Sequence, residues 1–189
     1  MSSHAHSIGS ARVLADFIPG DRVRDAALSI GFAGSIAISA QLAFPLPFTP
    51  VPITGQTLVV LLGALVLGCG RAAIGSGIYM MLGVFGIPWF AVTGGATVGY
   101  VVGFVVASVM VGWLADRGYA RTPTTVAGAM VVGNLIIYVF GATILGFVLS
   151  LSPAAAWSSG VAPFLVGDAV KIAIAVALVP AAWRMLDRN

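Results

Sequence analysis

The stretch V-G-D-A-V-K-I-A-I-A-V-A-L, Val166 to Leu178, sets a carboxylate and an ammonium three residues apart in an otherwise apolar run. Lys171 is the only lysine in the chain, and glutamate is absent. On a helix, Asp168 and Lys171 share one face. An unpaired charge inside a bilayer costs on the order of 3 kcal/mol or more, so both must turn inward, paired or bound. Asn134 and Tyr138, four apart, share a face of a second apolar run in the same way. One reading is a structural ion pair with an inter-helical hydrogen-bond network. The other is a polar ligand site, whose adjacent acceptor and donors suit a neutral head group with both N–H and C=O, such as a urea or amide. A metal is a poor occupant, because protonated lysine does not ligate and no His or Cys is near. Catalysis is not expected either, since these runs have no His, no second carboxylate and no Ser/His pairing. The sequence therefore calls for no enzyme activity, no cofactor and no metal. His4 and His6 form a possible metal pair, but a polar terminal arm explains them better. A lone Cys69 gives neither an internal disulfide nor a C-x-x-C site.

The elements that must position these residues follow from composition. Of 189 residues, 59% are hydrophobic and 8% charged, against about 25% charged in a soluble domain. This is the composition of an integral, all-α membrane protein with lipid as its surroundings. The net charge of +3 comes from scattered arginines without a basic stripe, which excludes a nucleic-acid partner. The start has no apolar core of the kind a cleaved signal peptide carries. Six apolar runs reach or approach spanning length: 26–44, 55–68, 72–87, 98–114, 124–149 and 161–179. Residues 1–25 read as a polar arm, 26–180 as the membrane domain and 181–189 as a tail. With the N-terminus inside, Arg12, Arg22, Arg24, Arg71, Arg117, Arg121, Arg184 and Arg188 all fall on the cytoplasmic side. That bias predicts six helices with both ends cytoplasmic.

The outer loops then gain interest. F-P-L-P-F-T-P-V-P-I-T-G-Q-T-L contains Pro45, Pro47, Pro50 and Pro52, which force an extended, stiff segment. Being apolar and uncharged, it is expected to pack down as a lid; a plain interfacial connector is the alternative. The second loop pairs Trp89 and Phe90 with Gly94 and Gly95, which allow close backbone approach. Trp157 in the third is read as belt or lid. On the first run, Ala33 and Ala37 make a small-xxx-small pair with Gly34 beside them, a face that packs internally or against another subunit. Gly75, Gly99, Gly103 and Gly133 fit internal packing.

These residues resemble the BioY family, the biotin-specific substrate-binding subunits (S components) of energy-coupling-factor vitamin transporters. The resemblance runs from about Ala26 to Val179 and rests on FTPVPITGQTLVVLLGALVLG, GIYMMLGVFGIPWFA, TVGYVVGF and APFLVGDAVK. It implies a six-helix bundle in the cell membrane with a biotin pocket under the outer loops, where Asp168 and Lys171 meet the ureido ring. Thr54, Gln56, Gly95, Thr97, Tyr100, Asn134 and Tyr138 are the further substrate-side residues expected. The stretch TGGATVGY is shorter than the family's glycine-rich loop, with Ala96 and Val98 where a Pro or Asn and a Gly are typical. No arginine lies on that side for the biotin carboxylate, so the N–H groups of Gly95–Thr97 are expected to take it. The resemblance also implies a transmembrane coupling protein, which would dock on Ala33 and Ala37, and a pair of cytoplasmic ATPases. No P-loop occurs in this chain. An S component for another vitamin, a self-contained carrier or channel, and a non-transporting assembly factor are the rival functions; a homo-oligomer is also possible.

Overall fold

The computed structural model describes residues 13–20, 22–90 and 95–186. Among these are seven α-helices: α1 (Arg22–Ala40), α2 (Gln56–Leu67), α3 (Cys69–Val84), α4 (Val98–Asp116), α5 (Pro123–Val148), α6 (Pro153–Gly160) and α7 (Leu165–Leu186). A short antiparallel hairpin, β1 (Ala43–Phe44) and β2 (Ile53–Thr54), joins α1 to α2, with Ala43 opposite Thr54 and Phe44 opposite Ile53. His4, His6 and Gly94 lie outside the described residues.

The stretches Arg22–Ala40, Gly95–Asp116, Pro123–Val148 and Pro153–Leu186 are long and apolar enough to cross a membrane. Helices α2 and α3 are shorter, 12 and 16 residues, or about 18 and 24 Å. Gly68 alone separates them, with φ at +79°, and a side chain there would strike Asp116 Oδ1 at 2.3 Å. The two helices fold back on each other, because Gln56 Nε2 at the start of α2 donates to the Tyr79 hydroxyl well along α3, at 2.8 Å.

Local chemistry sets the boundaries. Thr122 caps α5, accepting from Thr125 N, with Pro123 in the first helical position. Ser152 and Pro153 open α6 in the same way. That S-P signal marks a helix inside what the sequence suggests is only a loop. The first apolar run leaves the helix at Ala40, ahead of the prolines, instead of continuing to Phe44. The last begins as a 3₁₀ turn at Ala162–Phe164 containing Pro163, so α7 starts at Leu165 and not at Val161. Helix α1 begins at Arg22 and α7 runs to Leu186.

Contacts gather the described arginines at one end. Arg71 Nε meets Asp25 at 3.0 Å and its Nη1 meets Asp16 at 2.8 Å. Asp116 Oδ2 accepts from Cys69 N at 3.1 Å. Arg117 lies over the Trp113 ring, and Arg121 and Phe17 both pack on Trp183. The hairpin, α6 and the 3₁₀ turns at Gly95–Thr97 and Ala162–Phe164 occupy the opposite end.

Glycines let α4 and α5 pack backbone to backbone. A Cβ on Gly99 would lie 2.5 Å from the Phe140 carbonyl oxygen, and one on Gly103 2.9 Å from Ile137 Cα. Ala33 and Ala37, expected as a docking face, are only 2% and 3% exposed. They sit in the core with Phe32 and Ile36, where small side chains admit the neighbouring helices. The outward face of α1 carries Ala27, Gly31 and Ser35 instead.

Candidate functional site

At the end away from the arginines, the helices enclose a cavity of about 300 Å³. Val101 and Phe104 from α4, Ile137 from α5 and Phe164 from the turn before α7 form its apolar side. Ala43, Val51 and Pro52 of the hairpin segment, Trp89 and Thr97 close the loop end. Polar groups converge from α2, α5 and α7. Lys171 Nζ donates to Asp168 Oδ1 at 2.8 Å and to Thr57 Oγ1 at 2.6 Å. The Thr57 hydroxyl donates to the same Asp168 oxygen at 3.1 Å. The Tyr138 hydroxyl donates to the other oxygen, Oδ2.

This arrangement explains how the charges survive burial. Asp168 is 3% exposed but accepts from three donors. It also sits in the first turn of α7, where the helix dipole favours a negative charge. Lys171 balances the carboxylate and spends two of its three N–H groups on protein. The third remains for a ligand acceptor, and the carboxylate keeps lone-pair capacity for a ligand N–H. Donor and acceptor thus stand side by side, with the aromatic and aliphatic walls on one side and the neutral polar groups of Thr54, Gln56 and Thr97 elsewhere on the lining.

Of the expected site residues, Thr54, Gln56, Thr97, Tyr100, Tyr138, Asp168 and Lys171 come together on the cavity wall. Gln56 is engaged at both ends of its amide, to Tyr79 through Nε2 and from Thr54 through Oε1, at 2.8 and 3.0 Å. Asn134 and Gly95 are not on that wall. Asn134 lies one helical turn from Tyr138 toward the arginine end, 6% exposed, and its Oδ1 has no hydrogen-bond partner among the described residues. Gly95 packs toward Val148. Sequence reasoning missed Thr57, the group that bridges Lys171 and Asp168. Its one signal was a hydroxyl beside Gln56 at the mouth of an apolar helix. Trp89 reaches the cavity with φ at +78°, a backbone state uncommon for a bulky residue and one the sequence does not announce.

The fold and site define a multi-pass helical membrane protein with an enclosed polar–aromatic binding cavity near one end. The chain belongs to the BioY family, which it matches over residues 8–188. It is 32% identical over 170 residues to the biotin transporter BioY of Rhizobium etli, covering 82% of this chain and 90% of that relative. It is 33% identical over 151 residues to the biotin transporter BioY of Thermotoga maritima, covering 76% and 86% respectively. Its fold resembles a crystal structure of the S-component for biotin from an ECF-type ABC transporter, with a TM-score of 0.75 at 20% identity over 86% of this chain and 92% of the other.

Proposed function

We propose that this chain captures biotin at the outer face of the cell membrane and delivers it for uptake as the S component of an energy-coupling-factor transporter. The observation that carries this reading is the Asp168–Lys171 pair, the charged groups of a cavity whose other walls combine aromatic and aliphatic side chains with the neutral polar groups of Thr54, Gln56, Thr57 and Thr97. A ureido ring has two N–H donors and one C=O acceptor. Asp168 accepts an N–H, and the free Lys171 N–H meets the carbonyl. Tyr100, Phe104, Ile137 and Phe164 surround the sulfur ring and chain. A volume of about 300 Å³ lies at the small end of the usual range for ligand pockets. Thr97 stands at the loop end, where the carboxylate of the valeryl chain would lie.

In this reading α1–α5 and α7 make six spans, with both chain ends and the arginine-bearing end in the cytoplasm. The collection of the described arginines at one end of the bundle supports that orientation. The membrane domain extends from α1 through α7, flanked by the polar arm and tail. The partners are a transmembrane coupling subunit and cytoplasmic ATPases, within the lipid bilayer. The chain's own task is binding, without catalysis.

Equilibrium binding of labelled biotin to the purified, detergent-solubilised chain tests the proposal. Lys171→Ala or Asp168→Asn should weaken binding by about 1.5–3 kcal/mol, the range for hydrogen bonds to charged groups, or roughly tenfold to over a hundredfold in Kd. Desthiobiotin, which keeps the urea, should bind and show the same mutant effect. Capture of another vitamin with none of biotin would overturn the substrate assignment. A folded double variant, Asp168→Asn with Lys171→Met, that binds biotin as the wild type does would reduce the pair to a structural one.

A further inference from the structure

The last carbonyls of a helix have no partner within it, and those of α6 are taken up in a particular way. Trp157 O accepts from Val161 N at 2.9 Å, which is an ordinary end. Ser159 O accepts from the Thr49 hydroxyl at 2.6 Å, 110 residues away in sequence. Gly160 O accepts from the Tyr100 hydroxyl at 2.6 Å. The C-terminus of α6 is therefore held between the tip of the β1–β2 hairpin and a residue of the cavity wall. Thr49 is itself fixed, since its hydroxyl oxygen accepts from Val51 N at 3.2 Å.

The hairpin closes one side of the cavity through Ala43, Val51, Pro52 and Thr54. Its tip holds Pro45, Pro47, Pro50 and Pro52, whose fixed φ angles make the segment stiff. A stiff flap opens as a unit about its ends and does not fray residue by residue. It cannot lift from α6 without breaking the Thr49–Ser159 bond. We propose that Thr49 is a positioning residue, the latch that ties the proline hairpin to α6 and sets how fast the cavity exchanges its ligand. Taking biotin as that ligand rests on the function proposed above.

A latch that must open for arrival and departure alike changes both rates together. Thr49→Val keeps the shape and removes the hydroxyl. It should raise the association and dissociation rates of labelled biotin by about three- to tenfold, the effect of losing one good hydrogen bond, with Kd held within about twofold. Thr49→Ser should restore wild-type rates. In the ligand-free protein, backbone amides of the hairpin should exchange faster with deuterium in Thr49→Val, and in Thr49→Ala should the valine variant not fold. Unchanged rates overturn the latch. So does a rise in dissociation alone with an equal rise in Kd, which would mean that Thr49 only shapes the site. If the wild-type chain binds no biotin, the functional reading falls by itself. The latch is then judged on ligand-free amide exchange, and equal exchange in wild type and variant overturns it.

Discussion

Lys171 on α7 donates to the Thr57 hydroxyl on α2 at 2.6 Å, a shorter contact than the 2.8 Å it makes to Asp168 on its own helix. The ammonium is thus held from two helices, by a hydroxyl of α2 as well as by the carboxylate of its own helix. Thr57→Val removes that hydroxyl while preserving volume closely. Biotin binding should weaken by about 1–2 kcal/mol, about five- to thirtyfold in Kd, with the melting temperature in detergent nearly unchanged. Titration calorimetry and a thermal melt separate the two effects. Wild-type affinity with a lowered Tm would make Thr57 a brace between helices and no part of recognition.

Gly99→Ala tests the packing that holds the cavity wall in place. The added methyl would sit 2.5 Å from the Phe140 carbonyl oxygen, a backbone atom that cannot move aside cheaply. Overpacking of this kind costs about 1–3 kcal/mol. Gly128→Ala is the control, because a Cβ there meets nothing within 4 Å and alanine favours helix. Thermal melts should show a clear drop for the first and none for the second. Equal melting temperatures would contradict the close α4–α5 contact.

Much of this architecture was legible in the sequence, and the reasons differ by element. Hydropathy locates the long helices because lipid imposes a minimum length on an apolar span. The Asp168–Lys171 pair was legible because two charges in an apolar run need a reason. The proline run announced a non-helical segment; it folds back as a short hairpin, and Ala43, Val51, Pro52 and Thr54 of it line the cavity. Asn134 lies off the cavity lining, because sharing a face with Tyr138 fixes direction but not depth. Ala33 and Ala37 are small residues that serve inward and outward faces equally; their burial fits the internal packing that the sequence left open beside docking. Thr57 and the Thr49–Ser159 bond are long-range contacts, set by how helices lie against one another and silent in local pattern.

Sidedness can be checked by thiol labelling in a Cys69→Ala background. Ser158 is exposed on α6 and Thr124 is exposed at the start of α5, at opposite ends of the bundle. Thr122 is left intact, since it caps α5 and its loss would cost about 1 kcal/mol. Ser158→Cys should react with a membrane-impermeant maleimide on intact cells. Thr124→Cys should react only after permeabilisation. Labelling of both from the same side is incompatible with six spans.

The outward face of α1 yields the last prediction. Ala27, Gly31 and Ser35 are exposed and follow one another at four-residue spacing. A Cβ on Gly31 or on Gly34 would meet nothing within 4 Å. Small residues let another transmembrane helix approach closely, so if the coupling subunit of the proposed function docks on α1, this exposed face admits it. Gly31→Leu therefore adds bulk to open space outside the isolated chain and should leave folding and biotin affinity as in the wild type. In cells that supply the coupling subunit and ATPases, the same change should abolish uptake of labelled biotin. Ala33→Leu and Ala37→Leu should behave differently, because both positions are buried. The extra carbons would be forced into the packed core at about 1–3 kcal/mol each, lowering the melting temperature and biotin binding together. Full uptake by a normally expressed Gly31→Leu variant would remove this face from the docking surface. An Ala33→Leu protein with wild-type Tm and binding, yet no uptake, would return that role to Ala33.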